Sequence, residues 1–234
     1  MKGFVIKNFD RKKTFSDFLN GIAGPDGIPM WCFYVNRGQA VSGFGIRSKA
    51  LPIMEFNPAS IAYVRTAVSG FRTFLRVNGE FFEPFSPLTE AERDMEIGSH
   101  ALTITERDEK RGIETKVIYS AAVGMPFPAL LREVEFRSLR AEDAELEICD
   151  GLAELIPYGL SNADQKDMGS LMESWMTTEG AEKGLPVFRL RSSVADRAEV
   201  NAVSGGHFLH SMTDGSENIK IVDPRAVFGY DTAK

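Results

Sequence analysis

The sequence predicts an all-β protein, a large antiparallel β-sandwich with very little helix. Three observations lead to this prediction. The apolar and aromatic runs are short, polar residues alternate with apolar ones in many segments, and Gly, Pro and Asn interrupt the chain at short intervals. Because no fixed period of about 20 to 50 residues repeats, a propeller or a solenoid is disfavoured.

Length, composition and charge narrow the class further. The chain has 234 residues, of which 43% are hydrophobic and 26% charged, and all-β sandwiches often use such a length as one domain. We therefore expect a single domain over residues 1–234. The net charge of −6 argues against a nucleic-acid or an anionic-membrane partner. Because Lys7 interrupts the first apolar stretch and no apolar run of about 18 residues follows, we expect a cytoplasmic protein.

The first third of the chain predicts strands joined by polar loops. Strands are expected at residues 3–7, 30–35 and 41–46, with one helical turn at 14–19 and a loop at 21–29. Between residues 31 and 76 the apolar runs are too brief for helices, so only strands and loops are expected there. Glycines at positions 43 and 45 indicate a bulge or a close backbone approach.

The middle of the chain contains the clearest hairpin. Residues 71–77 and 80–82 flank Asn78-Gly79, a pair that accepts the positive φ angles of a two-residue turn. The pattern Thr89-x-x-Glu92 then resembles a capping box and predicts a short helical turn.

From residue 101 onward, apolar and polar residues alternate with period two. This predicts consecutive antiparallel strands with one face in water, and a meander is the simplest topology. The expected strands are 101–107, 113–120, 130–137 and 145–152, separated by turns at 108–112, 124–128 and 138–143. Further strands are expected at 171–178, 187–191, 199–203 and 207–212. The pairs Glu133 with Glu135 and Glu145 with Glu147 are expected to form exposed rows.

The common catalytic motifs are not found in the sequence. There is no nucleophile elbow, phosphate-binding Gly-rich loop or zinc-protease motif. His207 and His210 are three apart, which on a strand places them on opposite faces, so no shared metal is expected. Cys32 and Cys149 are interpreted as core residues.

Better candidates for recognition are aromatic and polar side chains in the first third of the chain. They are Trp31, Asn36, Arg37, Glu55, Asn57 and Arg72. Sugars are commonly held by aromatic faces together with Asn, Arg and carboxylate hydrogen bonds. The alternative interpretation is that Trp31 lies in the core and that the polar groups satisfy loop backbone, as Asn57 would in an Asx turn.

Several strings in the sequence resemble those of a known family. They are Gly21-Ile22-Ala23-Gly24-Pro25, Gly27-Ile28-Pro29 with Trp31, Tyr34-Val35-Asn36-Arg37-Gly38-Gln39, Met54-Glu55-Phe56-Asn57-Pro58-Ala59, Gly70-Phe71-Arg72-Thr73-Phe74, Asp150-Gly151-Leu152-Ala153-Glu154-Leu155-Ile156-Pro157-Tyr158-Gly159-Leu160 and Ile221-Val222-Asp223-Pro224. Together they resemble the N-terminal β-sandwich domain of glycoside hydrolase family 94 phosphorylases. The resemblance is greatest to 1,2-beta-oligoglucan phosphorylases, which are relatives of cellobiose phosphorylase.

The resemblance implies a super-sandwich of the galactose-mutarotase-like type and a specific reaction. Such enzymes cleave a β-glucosidic bond with inorganic phosphate as co-substrate, invert the anomeric centre and release α-glucose 1-phosphate, with no other cofactor. Their general acid is an Asp of a C-terminal helical (α/α)6-barrel domain. The sequence stops before such a domain, so we expect a non-catalytic fragment whose partners are that helical domain, a β-glucan oligosaccharide and a second copy in a homodimer.

Three alternatives stay open from the sequence. The chain is also compatible with a free-standing sugar-binding module, or with a mutarotase-like enzyme. A mutarotase would need a His and a carboxylate in a cleft, for which His100, His207 and His210 are the only histidines. The third alternative is an interaction domain with an exposed apolar patch.

Overall fold

The computed structural model describes residues 3–24, 26–195, 198–213 and 219–229. In these residues fifteen strands form four sheets, and only two helices are longer than four residues. The prediction of an all-β sandwich with little helix is confirmed. Pro25, which ends one of the quoted strings, lies outside the described residues.

The strands and helices follow one another along the chain in this order. The strands are β1 (Phe4–Lys7), β2 (Ser16–Ala23), β3 (Ile28–Val35), β4 (Val41–Ile46), β5 (Pro52–Met54), β6 (Phe71–Val77), β7 (Glu80–Phe82), β8 (Glu92–Ile97), β9 (Ala101–Asp108), β10 (Ile113–Ala121), β11 (Leu130–Ser138), β12 (Leu146–Leu152), β13 (Met176–Glu179), β14 (Val187–Leu190) and β15 (His207–Phe208). The helices are α1 (Ala59–Ser69), α2 (Asn162–Met172) and α3 (Arg225–Phe228).

The chain divides into two compact units. The first comprises Met1–Arg47 and Phe56–Ala153, and the second comprises Ser48–Glu55 and Glu154–Lys234. The expectation of a single domain stays a prediction.

The first unit is built from antiparallel sheets packed face to face. One sheet has the order β1-β8-β9-β10-β11, another the order β12-β6-β7, and β2, β3 and β4 pair consecutively. Leu75 and Phe82 of the three-stranded sheet form a buried cluster with Ile113 of the five-stranded sheet. The apolar alternation along β10 therefore faces the second layer, as a sandwich requires.

Local sequence signals gave the hairpin and most of the meander correctly. Asn78 and Gly79 have φ angles of 49° and 89° between β6 and β7, as the Asn-Gly pair predicts. Strands β9 to β11 pair in sequence, which confirms that part of the meander, and β8, which was not predicted, pairs with β9. The meander is wrong at β12, because this strand leaves the sheet and pairs with β6, placing Asp150 opposite Thr73.

Two helical turns predicted from the sequence are absent from the described residues, and one observed helix was not predicted. Residues 14–19 form no helical turn, because Ser16–Ala23 pairs with β3 over its full length. Glu92 starts a strand rather than a helical turn. Conversely, α1 lies between residues 31 and 76 where only strands and loops were expected, and its Ala62 is buried against Trp31 and Phe33.

The second unit has a small sheet of the order β13-β14-β15 and its own core. Ile156, Leu160, Met172 and Leu190 are buried together in it. The strand expected at 171–178 starts only at Met176, because α2 and a short 3-10 helix occupy the residues before it. Of the strand expected at 199–203, only an isolated bridge at Ala202 is observed. Of the strand expected at 207–212, only the two residues of β15 are observed. None of the described helices is long and apolar enough to cross a membrane.

Candidate functional site

A cluster of polar side chains lies at one edge of the first unit, where β11 and β12 end their respective sheets. We call it the Arg132 cluster, and its members are Gln39, Thr73, Tyr119, Arg132 and Asp150. Register brings them together, because Arg132 lies opposite Tyr119 between β11 and β10, and Asp150 lies opposite Thr73 between β12 and β6. The cluster therefore joins the five-stranded sheet to the three-stranded sheet.

The guanidinium of Arg132 is the centre of the cluster. Its Nε donates to the Tyr119 hydroxyl at 3.3 Å, and its Nη1 donates to Oδ2 of Asp150. Its Nη2 contacts Oδ1 of Asp150 at 2.9 Å, Oγ1 of Thr73 at 3.1 Å and Oε1 of Gln39 at 2.5 Å. All three guanidinium nitrogens thus donate to protein atoms, and the fork geometry of Arg suits this arrangement.

The other members of the cluster are bonded to one another as well. Gln39 donates from Nε2 to Oγ1 of Thr73 at 2.9 Å, and its backbone carbonyl accepts from the Tyr119 hydroxyl at 2.8 Å. Thr73 donates to Oδ1 of Asp150 at 2.5 Å. The Arg132 guanidinium lies 4.9 Å from the centre of the Phe71 ring. Buried polar groups that are satisfied in this way make a rigid junction.

The surroundings of Tyr119 and Arg132 keep each of these two side chains in one charge state near neutral pH. Burial raises the pKa of the Tyr119 phenol, more than Arg132 beside it lowers that pKa. Burial by itself lowers the pKa of the Arg132 guanidinium, but Tyr119 and Asp150 outweigh it, so that pKa is raised. Tyr119 is therefore neutral and Arg132 charged, and the arrangement suits positioning rather than proton transfer.

Asn36 and Arg37, two of the predicted site residues, bind backbone of the first unit. The amide of Asn36 donates to the carbonyl of Phe9 at 2.8 Å, and its Oδ1 accepts from the backbone N–H of Phe15 at 3.0 Å. Arg37 donates to the carbonyls of Asn36 and Lys12 at 2.6 and 3.3 Å. Because Asn36 is fully buried, it fixes the segment between β1 and β2.

Arg72 lies on the other face of its strand from Thr73. It is buried and forms a bidentate ion pair with Glu83, at 2.6 Å from Nε and 2.8 Å from Nη2. Its guanidinium also lies 4.7 Å from the centre of the Phe74 ring. The pair fixes the end of the β6–β7 hairpin.

Trp31 and Asn57 lie in the first unit, whereas Glu55 belongs to the second. Trp31 is buried among Phe18, Phe33 and Phe56, and its indole N–H has no partner within the described residues. Asn57 is buried just before Pro58, which caps the start of α1. The predicted residues of the first unit therefore occupy several separate environments, and which of them bind a ligand stays a prediction.

Sequence reasoning did not single out Tyr119 and Arg132. One feature of the sequence pointed to Arg132. It alternates with Val134 and Phe136 on the inward face of β11, where a charged side chain needs a partner inside the protein. The alternation does not predict which side chain is the partner of Arg132. Gln39, Thr73 and Asp150 were present in the family strings but were not proposed as site residues.

The cysteines differ from each other. Cys32 is buried, and burial raises the pKa of its thiol to about 12, as expected for a core residue. Cys149 is exposed on β12, so the core interpretation is wrong for it. The acidic pairs Glu133 with Glu135 and Glu145 with Glu147 are exposed as predicted.

Histidines 207 and 210 have different surroundings in the second unit. Nδ1 of His207 lies 2.7 Å from the carbonyl of Ile156, and its ring meets the Tyr158 ring edge to face. His210 is exposed. His207 is therefore held as a neutral core residue, with Nδ1 as the donor.

We expect the second unit to lose stability in mild acid because of His207. Burial lowers the pKa of this imidazole below the usual value of about 6.5. The stabilisation is complete above pH about 6.5 and is lost as the pH falls through the lowered pKa, because the unfolded chain binds the proton first. Urea unfolding followed by the fluorescence of Trp175, in a Trp31→Phe background, measures this dependence. A His207→Gln variant that keeps the same pH slope would contradict the assignment.

The fold and the cluster together define a class, an all-β sandwich whose layers are joined at one edge by a network of a buried Arg132 side chain and a partly exposed Asp150. Comparison with protein-family models and with curated proteins finds no match for this chain.

Proposed function

We propose that this chain is the non-catalytic β-sandwich of a cytoplasmic, inverting β-glucan phosphorylase, and that it supports a separate helical catalytic domain. The supporting observation is the convergence of three family strings on the Arg132 cluster. Gln39, Thr73 and Asp150 come from different strings, and their side chains bond to one another and to Arg132. Residues from strings that are distant in sequence thus form one hydrogen-bonded cluster.

The bonding of the cluster favours a supporting role. Arg132 donates from every guanidinium nitrogen to protein atoms, and both oxygens of Asp150 accept from it. A general acid needs a proton that it can give to a leaving oxygen, whereas both carboxylate oxygens of Asp150 accept hydrogen bonds from Arg132 and Thr73. Phosphorolysis by inversion needs a single protein acid, because phosphate is the nucleophile. We assign that acid to the helical partner.

Two activity measurements test this proposal. The purified chain, given β-1,2-gluco-oligosaccharides and inorganic phosphate, is expected to release no glucose 1-phosphate. Added in excess to the helical catalytic portion of a 1,2-beta-oligoglucan phosphorylase that lacks its own sandwich, the chain is expected to raise phosphate-dependent turnover. Turnover by the chain alone would refute the proposal, and so would a folded chain that leaves the helical portion unchanged.

A matched pair of variants makes the second measurement specific. Arg132→Met removes the centre of the cluster, whereas Arg137→Met removes an exposed Arg of the same strand that pairs with Glu114. We expect the first variant to lose the supporting effect and the second to keep it. Equal effects of the two variants would mean that the cluster has no part in the support.

A further inference from the structure

The outer face of the three-stranded sheet presents a side-chain arrangement that the proposed function does not use. Glu147, Arg76 and Phe81 lie opposite one another on β12, β6 and β7, so they form one row across the sheet. Cys149 and Phe74 form the next row. Phe81 is 64% exposed, so an aromatic ring lies in water at the edge of this face.

The Phe81 ring is held in place from below. It stacks on the Phe74 ring with 6.0 Å between centroids and 11° between planes. Phe74 is in turn covered by the Arg72 guanidinium, which the ion pair with Glu83 fixes. An exposed ring that already has one orientation loses little conformational entropy when a ligand stacks on it.

The charges beside the ring favour an uncharged, hydroxylated ligand. Arg76 and Glu147 form an ion pair at 2.8 Å, and their side chains are 51% and 64% exposed. The pair has no net charge, yet it offers guanidinium donors and carboxylate acceptors beside an aromatic face. A pyranose presents apolar C–H groups to such a face, where the π-system is negative, and hydroxyls to the polar groups around it.

The charges on the face argue against a protein partner. Stable protein interfaces deplete charged residues at their centre. Here one exposed aromatic ring lies in a row with two exposed charged side chains, first Arg76 and then Glu147, which fits one or two sugar rings.

We propose that this face is a sugar-binding platform, with Phe81 as the stacking ring and Arg76 and Glu147 as hydrogen-bonding groups for a neutral gluco-oligosaccharide. The choice of glucan rests on the proposed function. Binding here keeps a glucan chain on the sandwich while its end is processed elsewhere. The site is separate from the Arg132 cluster, because Phe81 and Arg76 point to the opposite face of the sheet from Thr73.

Calorimetric titration of the full chain with β-1,2-linked glucotetraose tests the platform. We expect binding in the millimolar range or tighter, a loss of about tenfold or more in Phe81→Ala, and retained binding in Phe81→Trp. Phe4→Ala is the matched control, since Phe4 is also in the first unit and is 69% exposed. Thermal unfolding of each variant checks that the fold is kept.

Each outcome gives a clear answer. No heat with the wild-type chain at millimolar sugar, or equal binding by Phe81→Ala and Phe4→Ala, would overturn the platform. Self-association of the chain that disappears in Phe81→Ala would also overturn it, and would assign the face to a second copy. None of these results bears on the supporting role, which needs no sugar on this face, and turnover by the chain alone would refute that role while leaving the platform intact.

Discussion

Replacement of Arg93 by Met is expected to lower the free energy of unfolding of the first unit by about 3 to 5 kcal/mol. The Arg93 guanidinium is buried and pairs with Glu106 at 2.6 Å and with Asp10 at 2.8 Å. It also donates to the carbonyls of Ser86 and Thr89, at 2.6 and 2.9 Å. Its loss leaves two acidic side chains without their counter-ion, and Glu106 is almost fully buried.

The two tryptophans allow each unit to be followed separately, because Trp31 lies in the first unit and Trp175 in the second. In a Trp175→Phe background, urea unfolding followed by fluorescence reports the first unit alone. Arg107→Met is the control, since Arg107 is exposed and pairs with exposed Glu109, so a change within about 0.5 kcal/mol is expected. Equal midpoints for the two variants would show that the Arg93 network contributes no more than a surface ion pair.

Most of the sheet structure followed from local patterns. The hairpin of β6 and β7 depends on Asn78-Gly79, and β9 to β11 depend on strict alternation, so each needed only neighbouring residues. Helix α1 was not predicted, because its β-branched residues, such as Ile61 and Val64, favour strands locally. What stabilises it is the burial of Ala62 against Trp31, a contact between segments that are distant in sequence.

The candidate site was less predictable than the fold, because it depends on how strands pair across long sequence distances. Gln39 and Thr73 are 34 residues apart, and Thr73 and Asp150 are 77 apart. Alternation gives the inward or outward face of each residue but not the register of β12 on β6. A shift of one residue in that pairing would turn Asp150 away from Arg132. The quoted strings therefore contained three of the five members of the cluster, but neither their role nor their arrangement was predicted.

Arg132→Met is expected to lower the free energy of unfolding of the first unit by about 3 kcal/mol. The value lies at the low end for a buried ion pair because Asp150, with 28% of its side chain exposed, can regain some hydration. Arg132→Lys is expected to recover only part of the loss, since one ammonium group cannot bond Tyr119, Gln39 and both oxygens of Asp150 together. Urea unfolding in the Trp175→Phe background measures both changes, with Arg137→Met as the exposed control on the same strand.

A double-mutant cycle with Asp150→Asn separates this network from simple loss of packing. If Arg132 and Asp150 act together, the loss in the double variant is smaller than the sum of the single losses by about 1 to 3 kcal/mol. Additive losses would mean that Arg132 stabilises the edge mainly through its contact with the Phe71 ring. The sandwich would then be closed by packing rather than by the paired charges. The convergence of the family strings on Arg132 would lose its energetic basis, and with it the main support for the proposed function.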